Sequence, residues 1–185
     1  MSENPNLSTP DQPAVSAHRA VISDYATADT EFRELQAPTW PKLKPILFNA
    51  LKAAGITRVT VNFDGSGDSG QIESVEARDG ANNPMELPAE TITYPSAVME
   101  PRYESCSATA SGQRFVGYEV HEVEKTAPLQ DVIEEIFWDF IGAKHGGWEN
   151  NDGGFGECHF NVDEGVIRLE MNERYTETSY YEHEM

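Results

Sequence analysis

The sequence predicts an α+β fold, in which an antiparallel sheet of about four or more strands carries helices on one face. Two observations lead to this prediction. Apolar residues recur at helical spacing in some segments and alternate strictly with polar residues in others. Twice along the chain, a helical segment comes directly before two alternating segments, so the sheet is predicted to consist of two helix-hairpin units.

The first two helices are predicted from their apolar periodicity. Ser23 is predicted to cap the first helix, whose apolar side begins at Tyr25 and which ends near Pro38. In the second helix, Pro45 suits the first turn and Gly55 suits the position just after the last turn. The apolar stripe of the second helix consists of Ile46, Leu47, Ala50, Leu51 and Ala54.

Period-two alternation predicts the strands of the first hairpin. The first strand covers residues 58–63, the Gly-rich loop at residues 64–70 follows, and the second strand lies around residues 71–77. Shorter strands are predicted near residues 91–94 and 115–122, within a stretch that is rich in Asn, Pro and Glu.

A third helix is predicted from Leu129 to Phe140, with one apolar face and a strongly acidic opposite face. A second Gly-rich loop covers residues 145–154. Residues 157–162 and 167–172 then alternate in hydrophobicity on either side of an Asp-Glu-Gly turn, which predicts the second hairpin.

These elements predict a flexible arm at residues 1–20, followed by one α+β domain at residues 21–185. The arm is rich in Pro and polar residues and shows no periodicity. Residues 79–126, where the periodic pattern is weak, are predicted to be an insertion into the domain.

The net charge argues against several classes of partner. The chain has 185 residues, with 13 Lys and Arg against 32 Asp and Glu, and a formal net charge of −19. Nucleic-acid affinity comes from neutralising phosphates with basic side chains, so direct binding to nucleic acid is not expected. An anionic membrane surface is disfavoured for the same reason, and no apolar run approaches the roughly 20 residues of a membrane span.

The two cysteines, Cys106 and Cys158, are interpreted as thiols of a cytoplasmic protein, because the first residues lack the features of a secretory signal. Cys158 falls at an inward strand position, where a thiol is inert. The Gly-rich loops match neither the Gly-x-Ser-x-Gly nucleophile motif nor a phosphate-binding loop. No catalytic residue is therefore predicted.

Three stretches of the chain are distinctive, at residues 54–73, 145–156 and 169–175. The first contains Asp-Gly-Ser-Gly-Asp-Ser-Gly, the second His-Gly-Gly-Trp-Glu-Asn-Asn-Asp-Gly-Gly, and the third Leu-Glu-Met-Asn-Glu-Arg-Tyr. Together they resemble an uncharacterised family of small acidic bacterial proteins that are found on plasmids, prophages and other mobile elements. The resemblance implies a mobile-element setting and assigns no catalytic residue.

The first Gly-rich loop is a candidate cation site. Asp64, Ser66 and Asp68 offer oxygen ligands at alternate positions, as Ca²⁺ requires, and Glu73 is a further carboxylate nearby. The EF-hand pattern fails, however, because the sixth position is not Gly and the twelfth is Val75. A hairpin loop whose Asp and Ser side chains bond their own backbone is the alternative that we favour.

A second candidate metal site combines His145 with Glu157 and His159, near Glu149 and Asp152 in the preceding loop. Residues 157 and 159 should share one face of their strand, opposite Cys158. Imidazole and carboxylate groups are suitable ligands for a divalent metal. The spacing matches no zinc motif, and charged side chains on the outer face of a strand are the ordinary case.

Trp148 lies in the second Gly-rich loop, where it either fills the end of the core or binds a partner. The core position is favoured, because a solitary exposed Trp is costly in a soluble protein. As partner-binding residues, Trp148 and its neighbours Glu149 and Asp152 are grouped with the acidic third helix.

The charge excess lies mainly in the second half of the chain. Residues 1–98 carry 7 basic and 13 acidic side chains, whereas residues 99–185 carry 6 and 19. Carboxylates spaced along a helix can imitate duplex phosphates and steer a protein onto a basic nucleic-acid-binding surface. Solubility alone explains the same charge. The candidate contacts on the third helix are Asp131, Glu134, Glu135 and Asp139.

These features lead to the hypothesis of a non-enzymatic protein that binds and inhibits a host defence or nucleic-acid-processing protein. It would resemble anti-CRISPR and anti-restriction proteins and would act partly as a nucleic-acid mimic. The alternative hypothesis is a metal-binding domain, Ca²⁺-stabilised or hydrolytic, that uses Asp64, Asp68 and Glu73 or the group from His145 to His159. Apart from such a divalent metal, no cofactor is expected.

Overall fold

The computed structural model describes residues 21–108 and 110–185, so the predicted arm at residues 1–20 lies outside the described residues. The strand pairs with a defined register are antiparallel. The prediction of an α+β fold with an antiparallel sheet is therefore confirmed. The helices and strands of the described residues are α1 (Tyr25–Gln36), α2 (Trp40–Ala53), β1 (Arg58–Gly67), β2 (Ser69–Arg78), β3 (Pro84–Met85), β4 (Thr91–Ser105), β5 (Gln113–Pro128), α3 (Leu129–Lys144), β6 (Asn151–Asn161) and β7 (Val166–Glu173).

β1 is the central strand of a five-stranded sheet with the order β3-β2-β1-β6-β7. It pairs with β2 on one side and with β6 on the other, and β6 pairs in turn with β7. Along the chain, α2 comes before β1 and β2, and α3 comes before β6 and β7. The grouping of these elements into two helix-hairpin units stays a prediction.

The described chain forms two compact units. The first comprises residues 21–33 and 98–121, and the second comprises residues 34–97 and 122–185. β4 and β5 form a two-stranded sheet and are much longer than the short strands that the sequence predicts. The predicted insertion at residues 79–126 stays a prediction.

The core of the second unit lies between the sheet and the helices α2 and α3. In β1, Val59, Val61 and Phe63 are buried and alternate with half-exposed residues, as the period-two pattern predicts. In β6, Cys158 and Phe160 occupy the same core. The helices contribute the buried apolar side chains Leu43, Leu47, Phe48, Leu51, Leu129, Val132, Ile133, Ile136, Phe137 and Ile141. Burying each large apolar side chain contributes about 1.5–3 kcal/mol, which favours this packing.

The start of α1 differs from the prediction, because the capping residue is Asp24 and not Ser23. The Oδ2 atom of Asp24 accepts hydrogen bonds from the backbone N–H of Thr27 at 2.9 Å and from its hydroxyl at 2.8 Å. These bonds hold the pKa of Asp24 below its usual value. The cap satisfies a backbone donor that the first turn of the helix leaves without a partner.

The start of α2 also differs from the prediction. The helix begins at Trp40, Pro41 occupies its first turn, and Pro45 lies inside the helix. Half-buried Trp40 and buried Leu43 extend the apolar face by a turn, which explains the earlier start. The predicted end is confirmed, since Gly55 follows the helix with φ of 77°, a conformation that favours glycine.

We expect Leu47→Ala to destabilise the protein, because Leu47 is fully buried in the core. Loss of a buried Leu side chain leaves a cavity and costs about 2–5 kcal/mol. Chemical denaturation should show a lower midpoint with an unchanged slope. Lys52→Ala, at an exposed position of the same helix, is the matched control and should change stability by less than about 0.5 kcal/mol.

Candidate functional site

The three distinctive stretches of the sequence meet at one end of the five-stranded sheet. Gly65 of β1 lies opposite Gly154 of β6, and Gly154 lies opposite Glu173 of β7. The loop that carries Trp148 packs against the same end. We call this cluster the Trp148 corner, and it consists of Gly65, Gly70, Trp148, Gly153, Gly154 and Arg174.

Trp148 is half-buried and packs on the end of the core. Its ring lies edge-to-face against Phe63, with 5.2 Å between ring centroids. A Cβ atom on Gly65 would lie 2.6 Å from the Cζ3 atom of Trp148, and a Cβ atom on Gly70 would overlap the same ring. The two glycines thus make room for the indole. Trp148 fills the end of the core, as favoured from the sequence, and its partner-binding role stays a prediction.

Gly153 is required at this corner for a second reason. Its φ is 71°, and a Cβ atom at this position would overlap the carbonyl oxygen of Gly65. Two neighbouring backbone segments therefore approach more closely than a side chain would permit. The Trp148 ring thus accounts for Gly65 and Gly70, and close backbone packing accounts for Gly153.

The guanidinium group of Arg174 binds several segments of the Trp148 corner. Its Nη1 and Nη2 atoms donate to the two carboxylate oxygens of Asp64 at 3.1 Å and 2.5 Å. Nη1 also donates to the carbonyl oxygens of Gly65 at 3.1 Å and Gly154 at 3.3 Å. The guanidinium lies over the ring of Phe155, 4.6 Å from its centroid. Hydrogen bonds from Arg174 hold the pKa of Asp64 below its usual value.

Two of the three residues of the first candidate cation site, Asp64 and Glu73, have other partners. Both carboxylate oxygens of Asp64 are bound by Arg174. Glu73 accepts a hydrogen bond from the side chain of Gln71 at 2.5 Å, and Asp68 is exposed in the turn between β1 and β2. Across residues 21–108 and 110–185, no group of three or more His, Cys, Asp or Glu side chains is arranged to hold a metal ion.

The second candidate metal site is divided between two places. His159 and Glu157 do share a face of β6, as predicted, with 3.3 Å between Nε2 and Oε2. The Nδ1 atom of His159 also lies 3.2 Å from the hydroxyl of Thr60. The Nδ1 atom of His145 instead lies 3.9 Å from the Oε1 atom of Glu173 on β7. Glu173 pairs with Gly154 of β6, which comes five residues before His159. Five strand residues span about 16 Å, so His145 and His159 do not share one ligand set.

The loop residues Glu149 and Asp152 flank Trp148 on either side. Asp152 accepts a hydrogen bond from the hydroxyl of Thr176 at 3.0 Å, and both acidic residues are half-exposed. Asp152 and His145 line a small polar pocket of about 250 Å³ at the Trp148 corner. Their partner-binding role stays a prediction.

The acidic residues of α3 differ in whether a cation of the same chain neutralises their charge. The Oε2 atom of Glu135 accepts hydrogen bonds from the hydroxyl of Tyr94 at 2.8 Å and from Lys125 at 2.6 Å. Tyr94 is fully buried, and burial together with the hydrogen bond to Glu135 raises its pKa. Glu134 accepts only a neutral donor, the side-chain amide of Gln130 at 2.9 Å, and Asp131 is exposed. Glu135 is thus part of the internal structure, whereas Asp131 and Glu134 keep an unneutralised charge.

Asp139 lies in a different setting from the other three acidic residues of α3. It lines an open, mainly apolar groove of about 660 Å³ between α2, α3 and β7. Lys44 of α2 also lines this groove. Partial removal from water, and then the nearby charge of Glu135, raise the pKa of Asp139. Asp139 itself is exposed, so it adds a carboxylate to the lining of this apolar groove.

Cys158 is fully buried at an inward position of β6, as predicted. Burial raises the pKa of its thiol to about 12, so the nucleophilic thiolate form is not accessible near neutral pH.

Within the described residues, no helix is long and apolar enough to cross a membrane.

The sequence reasoning missed a row of aromatic rings in the first unit, consisting of Tyr25, Tyr118, Phe115 and Tyr103. Tyr25 was expected on the apolar side of α1 but is exposed, and its ring contacts Tyr118. Phe115 links Tyr118 to Tyr103. We call these four residues the aromatic row. Their spacing in the sequence gives no signal, because the row joins a helix to two strands.

The comparison with known families assigns most of the chain. Residues 39–185 match a family model described as "Family of unknown function (DUF6878)". The chain belongs to this family. The match covers α2, α3 and the seven strands, and therefore the Trp148 corner, whereas α1 precedes it. No curated protein and no solved structure matches the chain.

We expect Gly70→Ala to destabilise the protein by about 1–3 kcal/mol, because the added methyl group overlaps the ring of Trp148. In a Trp148→Ala background the same substitution should cost much less. Chemical denaturation of the four variants gives the coupling energy. Gly142→Ala, in α3 with open space at its Cβ position, is the control and should be neutral or slightly stabilising. Equal costs for Gly70→Ala in both backgrounds would contradict this packing.

The Asp64–Arg174 ion pair should make stability depend on pH in acid. The folded-state pKa of Asp64 is below its ordinary value of 3.8, so its contribution is complete above that pH. The contribution is lost as the pH falls through the lower folded-state pKa. A double-mutant cycle with Asp64→Asn and Arg174→Ala, measured by thermal denaturation, should show a favourable coupling at neutral pH that disappears in strong acid. A coupling that is independent of pH would argue against the pair.

Proposed function

We propose that the protein is a non-enzymatic interaction protein that binds a basic, nucleic-acid-binding surface of another protein. By occupying that surface it would inhibit a host defence or nucleic-acid-processing protein, partly as a nucleic-acid mimic. The single observation that carries the proposal is the outward charge of Asp131 and Glu134 on α3. Each lacks a Lys or Arg partner among the described residues, whereas their neighbour Glu135 is neutralised.

The distribution of basic side chains supports this proposal. Carboxylates of the same chain pair with Arg33, Arg78, Arg102, Arg114, Lys125, Arg168 and Arg174. The paired carboxylates reduce the net positive charge that these side chains present to phosphates. With 32 acidic against 13 basic residues, a large negative excess remains after such pairing. A nucleic acid would be repelled, whereas a basic protein surface would be attracted.

Charge is also segregated between two helices of the second unit. α2 carries Lys42, Lys44 and Lys52 and no carboxylate, whereas α3 carries four carboxylates and one Lys at its end. Segregation gives the α3 side of the unit a negative field that a uniform mixture of charges would cancel. Such a field speeds association with a basic partner and weakens as salt is added.

The proposal includes a bacterial, cytoplasmic protein encoded on a mobile element, comparable to anti-CRISPR and anti-restriction proteins. Its support is the resemblance carried by the three distinctive stretches at residues 54–73, 145–156 and 169–175. A mobile element that enters a cell meets nucleases and their guide complexes. A small acidic protein that occupies a nucleic-acid site would protect the element.

The proposal predicts that Asp131→Lys combined with Glu134→Lys weakens partner binding by about tenfold or more, because like charges then face each other. The partner is first captured from host lysate and identified, and its affinity is then measured in purified form at several salt concentrations. The double variant should also show a weaker salt dependence. Duplex DNA or RNA should displace the unmodified protein.

Glu86→Lys combined with Asp163→Lys is the matched control, since it changes the net charge equally at two other exposed positions. We expect its affinity to stay within about twofold of the unmodified protein. An equal loss in both double variants would show that only the total charge matters. Failure of nucleic acid to compete would contradict binding to a nucleic-acid site.

A further inference from the structure

The aromatic row of the first unit is a continuous series of ring contacts, in which Tyr25, Phe115 and Tyr103 are exposed and Tyr118 is half-buried. The ring centroids of Tyr25 and Tyr118 are 5.5 Å apart, those of Tyr118 and Phe115 5.1 Å, and those of Phe115 and Tyr103 5.8 Å. All three contacts are edge-to-face. Because neighbouring rings are steeply inclined to one another, the contacts do not cover both faces of any ring in a flat stack.

These rings are unusually accessible for large apolar side chains. Tyr25 and Tyr103 are each 56% exposed and Phe115 is 44% exposed. Soluble proteins scatter single apolar residues over their surface, but a contiguous patch of several rings marks an interaction surface. Tyr and Phe are also enriched where proteins contact one another.

The charges of the first unit indicate which kind of molecule would bind the aromatic row. Residues 21–33 and 98–121 contain three Arg and six acidic residues. Arg33 pairs with Asp29, Arg102 with Glu119, and Arg114 with Glu104, at 3.0, 3.0 and 3.6 Å. Each of the three arginines in the described part of this unit thus pairs with a carboxylate of its own chain, and the net charge of these residues is negative.

Two other occupants fit this surface less well. Bases of a single-stranded nucleic acid stack on exposed rings, but such binding also needs cations for the phosphates. A second copy of the chain would bring the same negative charge and would be repelled. A cationic partner satisfies both the rings and the carboxylates.

We propose that the aromatic row binds an arginine-bearing segment of a partner protein. A guanidinium group is planar and weakly hydrated, so it stacks on aromatic faces better than the compact ammonium of Lys. The chain itself shows this geometry, since Arg174 lies 4.6 Å from the ring centroid of Phe155. The inference rests on the proposed function in one respect, because the arginine-bearing segment would belong to the basic surface of the partner proposed there.

The test uses two probe peptides of equal length and charge, one alternating Arg with Gly and the other alternating Lys with Gly. Calorimetry on the full chain should give a several-fold higher affinity for the Arg peptide. Tyr103→Leu combined with Phe115→Leu keeps the charge and apolar character but removes two rings. This double variant should bind the two peptides about equally, and Tyr103→Phe, which keeps the ring, should retain the preference.

Tyr175→Leu combined with Tyr180→Leu is the matched control, because both tyrosines are exposed in the C-terminal segment. It should keep the preference for Arg. Equal affinities for the two peptides in the unmodified protein would overturn the inference. So would an unchanged preference in the Tyr103 and Phe115 double variant, or a loss of preference in the control.

Backbone NMR shifts of the unmodified protein give a readout that needs no variant to fold. Addition of the Arg peptide should shift amides around Tyr103, Phe115 and Tyr118, and shifts confined to α3 would overturn the inference. The α3 double variant retains the rings and should keep the Arg preference. If the preference is present but no partner competes with nucleic acid, the proposed function fails while the aromatic site stands.

Discussion

The ring of Trp148 can pack on the sheet only because two positions of the first hairpin lack a side chain. Gly65 and Gly70 provide that space, and Phe63 supplies the apolar contact beneath the indole. The indole thereby anchors the loop between α3 and β6, and Arg174 closes the same corner through Asp64 and two carbonyl groups. α3 is held by its own buried apolar face, and Trp148 fixes the chain just after the end of this helix.

The acidic side chains of the protein have two different uses. Asp64 and Glu135 are bound by cations of the same chain, and Glu135 also satisfies the hydroxyl of the fully buried Tyr94. Their negative charges therefore stabilise the folded chain. Asp131 and Glu134, which lie one turn before Glu135 and next to it on α3, have no Lys or Arg partner among the described residues. They are the contacts that we propose for a basic partner. Only the three-dimensional structure separates these two groups, since all four are ordinary acidic residues in the sequence.

The sequence predicts the features that depend on local pattern and fails where distant residues meet. Alternation predicts the antiparallel sheet, the inward Cys158 and the outward pair of Glu157 and His159, because strand geometry places alternate residues on opposite faces. The bond between Tyr94 and Glu135 joins residues 41 positions apart, and no periodicity reports it. The start of α2 and the aromatic row were missed for the same reason, since each depends on tertiary packing that overrides local propensity.

The two thiols of the chain differ in solvent accessibility, so their reaction rates can be used to measure how often the core opens. Cys106 is half-exposed, whereas Cys158 is fully enclosed on a strand next to the central one. A thiol reagent can reach the second sulfur only after β6 has separated from its surroundings, so its labelling rate measures that opening event. The rate at which Cys158 reacts with such a reagent therefore reports how often this part of the core opens, and no residue has to be introduced as a probe.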